Sequence, residues 1–249
     1  MLQLDDSRAS AVLTLDHGKV NALDVEVLEA LTDTLRTLRD AACTSLVLTG
    51  AGRAFSAGVD LHRVLDGGPA YAQRLIPALG AAFEAVFTFP KPVVAAVNGA
   101  AIAGGCVLAC AADRRIAAEG AAIGASELRV GVPFPASALE ILRHACGPEA
   151  EMVILGAGLW RGEEALARRL VDEVVAAEGL AARALTVADD LGAIPQPAYA
   201  MAKAQLRRPA LQRIRANESG DAEVAGRWGA PETADAIRVS LERTTGKGG

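Results

Sequence analysis

The run from Val93 to Ala112 carries no charged side chain and is long enough to raise a membrane-spanning reading. Its internal chemistry points elsewhere. Asn98 and the small residues between Gly99 and Gly105 divide it into an apolar strand, Val93 to Val97, a turn, and a helix from Gly104 to Ala112. A buried strand feeding through a glycine turn into an apolar helix is an α/β element, so no transmembrane span is expected here.

The flanking sequence repeats this alternation. Ala11 to Leu15 alternates apolar and polar residues as a strand does. Asp24 can cap a helix whose apolar positions Val27, Leu28, Leu31, Leu35 and Leu38 recur at helical spacing. Ser45 to Thr49 reads as a short buried strand, followed by the turn Gly50 to Arg53. A helix is expected from Tyr71 to Phe87, ending before Pro90 and Pro92. Asp113 to Ala117 and Ala122 to Gly124 read as strands. After Pro135 only helices are expected, near Ala136–His144, Pro148–Leu155, Gly162–Arg168, Leu180–Leu191, Ala198–Arg215 and Glu232–Arg243. The reading is an α/β core over residues 1–194 with a helical C-terminal region over 195–249.

Of the 249 residues 51% are hydrophobic but only 4% aromatic, so Ala, Val and Leu must pack most of the core. The net charge of −5 argues against a nucleic-acid-binding face. Arg207, Arg208, Arg213 and Arg215 read as a solvated helix face. Cys43, Cys106, Cys110 and Cys146 show no CxxC spacing, and Cys106 and Cys110 sit one helical turn apart as buried thiols. The histidines, His17, His62 and His144, are scattered, so no metal site is expected. The N-terminus lacks a basic segment leading into an apolar run, which predicts no signal peptide and a cytoplasmic location.

Three segments carry chemical interest. In Ala54-Phe-Ser-Ala-Gly-Val-Asp-Leu61, small residues at Ala57 and Gly58 let a ligand approach the backbone. In Asn98-Gly-Ala-Ala-Ile-Ala-Gly-Gly105, the unpaired N–H of Gly104 at a helix start can bind a developing oxyanion. In Gly124-Ala-Ser-Glu-Leu-Arg-Val-Gly131, Glu127 sits in an apolar neighbourhood. Each also has a plain structural reading: tight packing for the glycine turns, a loop hydrogen bond for Ser56, a turn cap or an Arg129 pair for Glu127. The glycines match neither G-x-G-x-x-G nor a phosphate-binding loop.

Taken together and in this order, the segments resemble the crotonase, or enoyl-CoA hydratase/isomerase, superfamily. Asn21-Ala-Leu23, Phe55-Ser-Ala-Gly-Val-Asp-Leu61 and Lys91-Pro-Val-Val-Ala-Ala-Val-Asn-Gly99 carry the resemblance. It implies a spiral of ββα units, a helical trimerisation region, and a homotrimer or homohexamer. It further implies an acyl-CoA substrate whose thioester carbonyl is held by the amides of Ala57 and Gly104, with no cofactor beyond the coenzyme A moiety. Ser56, Gly58, Asp60, Leu61, Gly105 and Phe134 are the residues expected around that substrate, although Phe134 suits core packing equally well. Gly131-Val-Pro-Phe-Pro135 is stiffer than the glycine-rich turn usual in family hydratases.

The chain departs from the hydratase pattern at one decisive position. Family hydratases use two glutamates; the second maps onto Glu127, but the first falls on Val107, which cannot exchange a proton. A single base suffices to move a double bond, so isomerase-type proton transfer through Glu127 is favoured. Hydration with a second acid from Asp60, His62 or Glu140, and acyl-CoA binding without catalysis, remain alternatives. A serine peptidase of the Clp type shares the spiral architecture, but the chain has no Gly-x-Ser-x-Gly, and its last histidine, His144, sits on an apolar helix face.

Overall fold

The computed structural model describes residues 1–245 and resolves the Val93–Ala112 run as strand, turn and helix. Strand β5 (Val93–Val97) is buried at every residue because neighbours cover both faces of the sheet, which explains its unbroken apolar sequence. It lies within a sheet ordered β1 (Leu2–Asp5), β2 (Ser10–Leu15), β3 (Ser45–Gly50), β5, β7 (Arg114–Ala118) and β9 (Glu173–Val175). Only the β1–β2 pair is antiparallel.

A second, smaller parallel sheet joins β4 (Ala54–Ser56), β6 (Ala100–Ile102) and β8 (Ile123–Gly124). The chain therefore visits a long strand, a short strand and a helix in each turn. β3 and β4 lead to α2 (Leu61–Phe87), and β5 and β6 to α3 (Gly104–Ala111). β7 and β8 lead, through a single 3-10 turn, to α4 (Ala136–Cys146). This is the spiral of ββα units that the resemblance implied. In the preceding turn, between β2 and α1 (Val25–Arg39), the short strand is reduced to one parallel bridge, Leu23 to Val59.

β4 and β6 escape a sequence reading because three residues carry no usable period, whereas β8 falls within the strand expected at Ala122–Gly124. Helix α2 starts ten residues earlier than Tyr71, because Asp60 caps it: its Oδ1 accepts from the N–H of His62 at 3.0 Å and of Arg63 at 3.2 Å. Gly68, at φ 57° and ψ −150°, breaks it into two segments and hides the continuity from the pattern.

The helices that follow are α5 (Ala150–Gly156), α6 (Gly162–Ala167), α7 (Leu180–Gly192), α8 (Gln196–Asn217), α9 (Asp221–Trp228) and α10 (Pro231–Thr245). Of these α9 was not expected. Its anchors are distant in sequence: the Asp221 carboxylate accepts from the Ala136 N–H at 2.9 Å, and Trp228 Nε1 donates to the Pro133 carbonyl at 2.9 Å. Among the described residues no helix is long and apolar enough to cross a membrane.

The expected solvated arginine face is corrected at Arg207, while Arg213 and Arg215 keep their side-chain exposure and pair with acids of other elements. Arg208 is exposed, but Lys203 and Arg207 turn inward from α8 and are buried. Lys203 Nζ lies 2.6 Å from Asp113 Oδ2, and Arg207 Nη2 lies 2.7 Å from Asp113 Oδ1. The Arg207 guanidinium also stacks over the Phe87 ring at 4.3 Å. Arg213 meets Glu140 at 2.5 Å, and Arg215 takes Glu84 with both terminal nitrogens at 2.6 and 3.0 Å. Arginines one helical turn apart look like a surface pattern until the acids facing them come from other elements. The cysteines Cys43, Cys106, Cys110 and Cys146 are buried free thiols.

Candidate active site

Two asparagines set the first turn in place. Asn21, itself in the left-handed region at φ 51°, donates from Nδ2 to the carbonyls of Ala51 at 3.0 Å and Ala54 at 2.8 Å. Asn98 accepts from the Gly50 N–H at 3.1 Å and donates to the Gly52 carbonyl at 3.1 Å. The residues that carry much of the sequence resemblance thus staple the Gly50–Ala54 turn. Ser56 plays a similar part, since its buried hydroxyl donates to the Asn21 carbonyl at 2.7 Å and accepts from the Gly58 N–H at 3.2 Å. Both of its bonds are to backbone, which is the loop hydrogen-bonding reading of Ser56.

The expectation for Ala57 is corrected as well. Its N–H donates to the Val20 carbonyl at 2.9 Å and is not a free donor. The parallel bridge beside it uses Leu23 N–H to the Gly58 carbonyl at 2.8 Å and Asp60 N–H to the Leu23 carbonyl at 3.0 Å. Alternation along this stretch leaves the Val59 N–H with no partner among the described residues. Hydrogen bonds of neighbouring segments decide which amide is available, and a single strand's sequence does not display them.

The second turn meets the first at Gly58. Gly58 has φ 84°, and a Cβ there would lie 2.7 Å from the Ile102 carbonyl and 3.2 Å from the Gly104 nitrogen. Gly104 opens α3, whose first backbone bond runs from Val107 N–H to the Ala103 carbonyl at 3.1 Å. The amide of Gly104 therefore precedes the helical ladder and is unpaired, as expected from its position. Gly105 allows α3 to lie directly on β4, since a Cβ would sit 2.2 Å from the Ser56 carbonyl oxygen.

Glu127 begins the 3-10 turn Glu127–Val130, which Gly131 closes in the left-handed conformation at φ 75°. The side chain is buried and its Oε2 has no hydrogen-bond partner. Loss of water raises its pKa from the usual carboxylate range to about 8. Arg129 does not pair with it, because its Nε donates to the Ala157 carbonyl at 2.5 Å. The strand three residues ahead of Glu127 is tied to the start of α3, since Ile102 pairs with Gly124 and the Ala103 N–H donates to the Gly124 carbonyl at 2.9 Å. Val107 is fully buried in that helix.

The other acids considered for a second proton carrier are committed elsewhere. Asp60 caps α2, while Glu140 is held by Arg143 at 3.0 Å and Arg213 at 2.5 Å. His62 is exposed and Leu61 half-buried at the start of α2. Phe134 is buried in the main core cluster, which favours the packing reading. The turn that carries Glu127 is covered by the C-terminal helices: a Cβ at Gly131 would lie 3.3 Å from the Ala236 methyl on α10. No sequence signal announces that cover, since it depends on how far α9 and α10 fold back.

The ββα spiral that holds these groups is shared with known enzymes. A family model described as enoyl-CoA hydratase/isomerase matches residues 6–236. The crotonyl-CoA hydratase of Syntrophomonas wolfei is 32% identical over 206 residues, covering 81% of this chain and 79% of that protein. The solved structure of human mitochondrial delta3-delta2-enoyl-CoA isomerase superposes with a TM-score of 0.93 at 27% identity, covering 100% of this chain and 99% of that one. A Mycobacterium tuberculosis protein described both as an enoyl-CoA isomerase and as a probable enoyl-CoA hydratase superposes, under the first description, with a TM-score of 0.81 at 34% identity, covering 89% and 97%. Relatives of both names surround the sequence, and the extent of the match leaves one assignment: this chain belongs to the enoyl-CoA hydratase/isomerase family.

Proposed function

We propose that the protein is an enoyl-CoA isomerase, moving a double bond of an acyl-CoA from the 3,4 to the 2,3 position. What carries this reading is a buried Glu127 on the turn after β8, which is hydrogen-bonded to the start of α3, with Val107 where the family resemblance places the other glutamate. The amides of Val59 and Gly104 would hold the thioester oxygen; the unpaired state of both supports that role. Ionised Glu127 takes the proton from C2, and the electrons of that C–H bond move into a dienolate whose charge rests on the oxygen. The same carboxylic acid then delivers its proton to C4, so the carboxylate is regenerated and nothing is consumed. A preorganised donor of this type typically contributes about 3–4 kcal/mol to stabilising such an oxyanion. Coenzyme A enters as part of the substrate and no other cofactor is required.

The test compares 3-enoyl-CoA and 2-enoyl-CoA substrates of matched length, over several lengths. Isomerisation is expected to exceed water addition throughout. Efficient hydration of 2-enoyl-CoA by the wild type would overturn the reading, because it would require a second proton carrier. Val107→Glu is expected to raise the ratio of hydration to isomerisation, measured on the same pair of substrates.

The helical region from residue 195 onward is proposed as the trimerisation region, in a homotrimer or homohexamer. Light scattering should then report three or six times the chain mass of 25.6 kDa. A 25.6 kDa species alone at micromolar concentration would contradict it.

A further inference from the structure

Away from Glu127, α8, the end of α4 and the start of β7 enclose a cavity of about 340 Å³. Arg115, Lys203, Arg207, His144, Tyr199 and Asp113 line it. The charges there do not cancel. Asp113 binds both Lys203 and Arg207, and Asp172 binds Arg115 at 2.7 Å, so three cations face two carboxylates. Arg115 is buried, and its Nε–H has no partner. A buried donor left unsatisfied costs about 1–3 kcal/mol, so such a group calls for an explanation.

The donors around the cavity retain spare capacity. Lys203 Nζ uses its hydrogens on Asp113 at 2.6 Å and the Lys91 carbonyl at 3.1 Å, leaving one of an ammonium's three. Arg207 directs its terminal nitrogens to Asp113 and to the carbonyls of Phe87 and Ala112. Burial and the neighbouring cations both act on the bases beside the cavity. The pKa of His144 is lowered, first by desolvation and then by Arg207, Arg115 and Arg213. Lys203 is lowered to about 8, chiefly by burial, with Asp113 opposing and Arg207 adding to the fall.

We infer that this cavity is a second ligand site that takes a small phosphate-class oxyanion between Arg115, Lys203 and His144. A tetrahedral anion offers acceptors in several directions at once. It would meet the Arg115 guanidinium where that lines the cavity and the remaining Lys203 hydrogen, and neutralise the excess charge. The volume admits it together with ordered water, whose share of liquid volume is about 30 Å³ per molecule. Asp113 keeps the site from binding anions indiscriminately, since a ligand placed toward its side of the cavity meets a carboxylate. None of the groups proposed for the enoyl-CoA reaction is involved, so the two readings stand or fall separately.

The probe is inorganic phosphate, compared with sodium chloride at equal ionic strength. Phosphate is expected to raise the melting temperature beyond the chloride control and to shift the His144 ring resonance saturably. Arg115→Gln should weaken phosphate binding at least ten-fold by calorimetry while acetoacetyl-CoA affinity stays within two-fold of wild type. If that variant does not fold, the His144 shift in the wild-type protein carries the test. Identical melting in phosphate and chloride with no saturable His144 shift would overturn the site. So would a phosphate effect that Arg115→Gln retains or that acetoacetyl-CoA abolishes by competition, since phosphate would then be occupying the acyl-CoA site.

Discussion

Glu127→Gln is expected to lower turnover of 3-enoyl-CoA by about 10²–10⁴-fold, the usual contribution of one positioned base. The amide keeps the shape of the side chain but cannot take the C2 proton, so acetoacetyl-CoA affinity should change little. Wild-type activity should also climb with pH toward about 8, because burial keeps the carboxyl group protonated below that value and only the ionised form acts as base. Full activity in Glu127→Gln would show that a different group carries the proton.

The same group leaves a signature in stability. The folded-state pKa of about 8 lies above the ordinary value of 4.5, so between those two pH values the native protein holds a proton that the unfolded chain has released. Stability therefore falls as pH rises through this window, by up to about 1.4 kcal/mol per pH unit, and is steady outside it. Glu127→Gln removes that slope. Urea unfolding at pH 5 and pH 8.5 should show the variant gaining on the wild type at the higher pH, by an amount on the order of several kcal/mol. Parallel pH dependence in the two proteins would mean that the carboxylate is solvated in solution.

Asp113→Ala should destabilise the fold by about 3–5 kcal/mol, the range for breaking a buried ion pair from one side. Asp113 Oδ2 accepts from the Val93 N–H at 2.7 Å as well as from Lys203, and Oδ1 accepts from Arg207, so one carboxylate joins β5, β7 and α8. Removing it leaves two buried cations uncompensated. For a chain of this size the loss corresponds to a fall of roughly 6–20 °C in melting temperature. Part of it should be recovered as pH rises toward 8. Without Asp113, which raises its pKa, Lys203 releases its proton at lower pH than in the wild type and ceases to be a buried charge. A loss under about 1 kcal/mol would show that water already compensates both cations.

The order of long strands and helices was legible in the sequence because it is written in local period and punctuation. The apolar run of β5, broken at Asn98, announces strand, turn and helix. The spacing of Val27, Leu28, Leu31, Leu35 and Leu38 announces α1, whose inward face the structure buries. Gly104 at a helix start, Val107 one turn later and Glu127 in an apolar setting are likewise matters of position along one segment. Helix α2 is legible only from Tyr71 onward, since Gly68 disrupts its period.

What only the tertiary structure decided depends on groups distant along the chain. The Ala57 amide looks available until Val20 is placed opposite it, and Val59 becomes the unpaired donor through its bridge to Leu23. Arg207 reads as surface charge until the chain entering β7 brings Asp113 beneath α8. The acidity of Glu127 follows from removal of water by neighbouring elements, including α10 over its turn. Periodicity records which face of an element is apolar, but a hydrogen bond or an ion pair requires two partners. Where the second partner lies tens of residues away, only folding brings it within the 3 Å or so that the interaction requires.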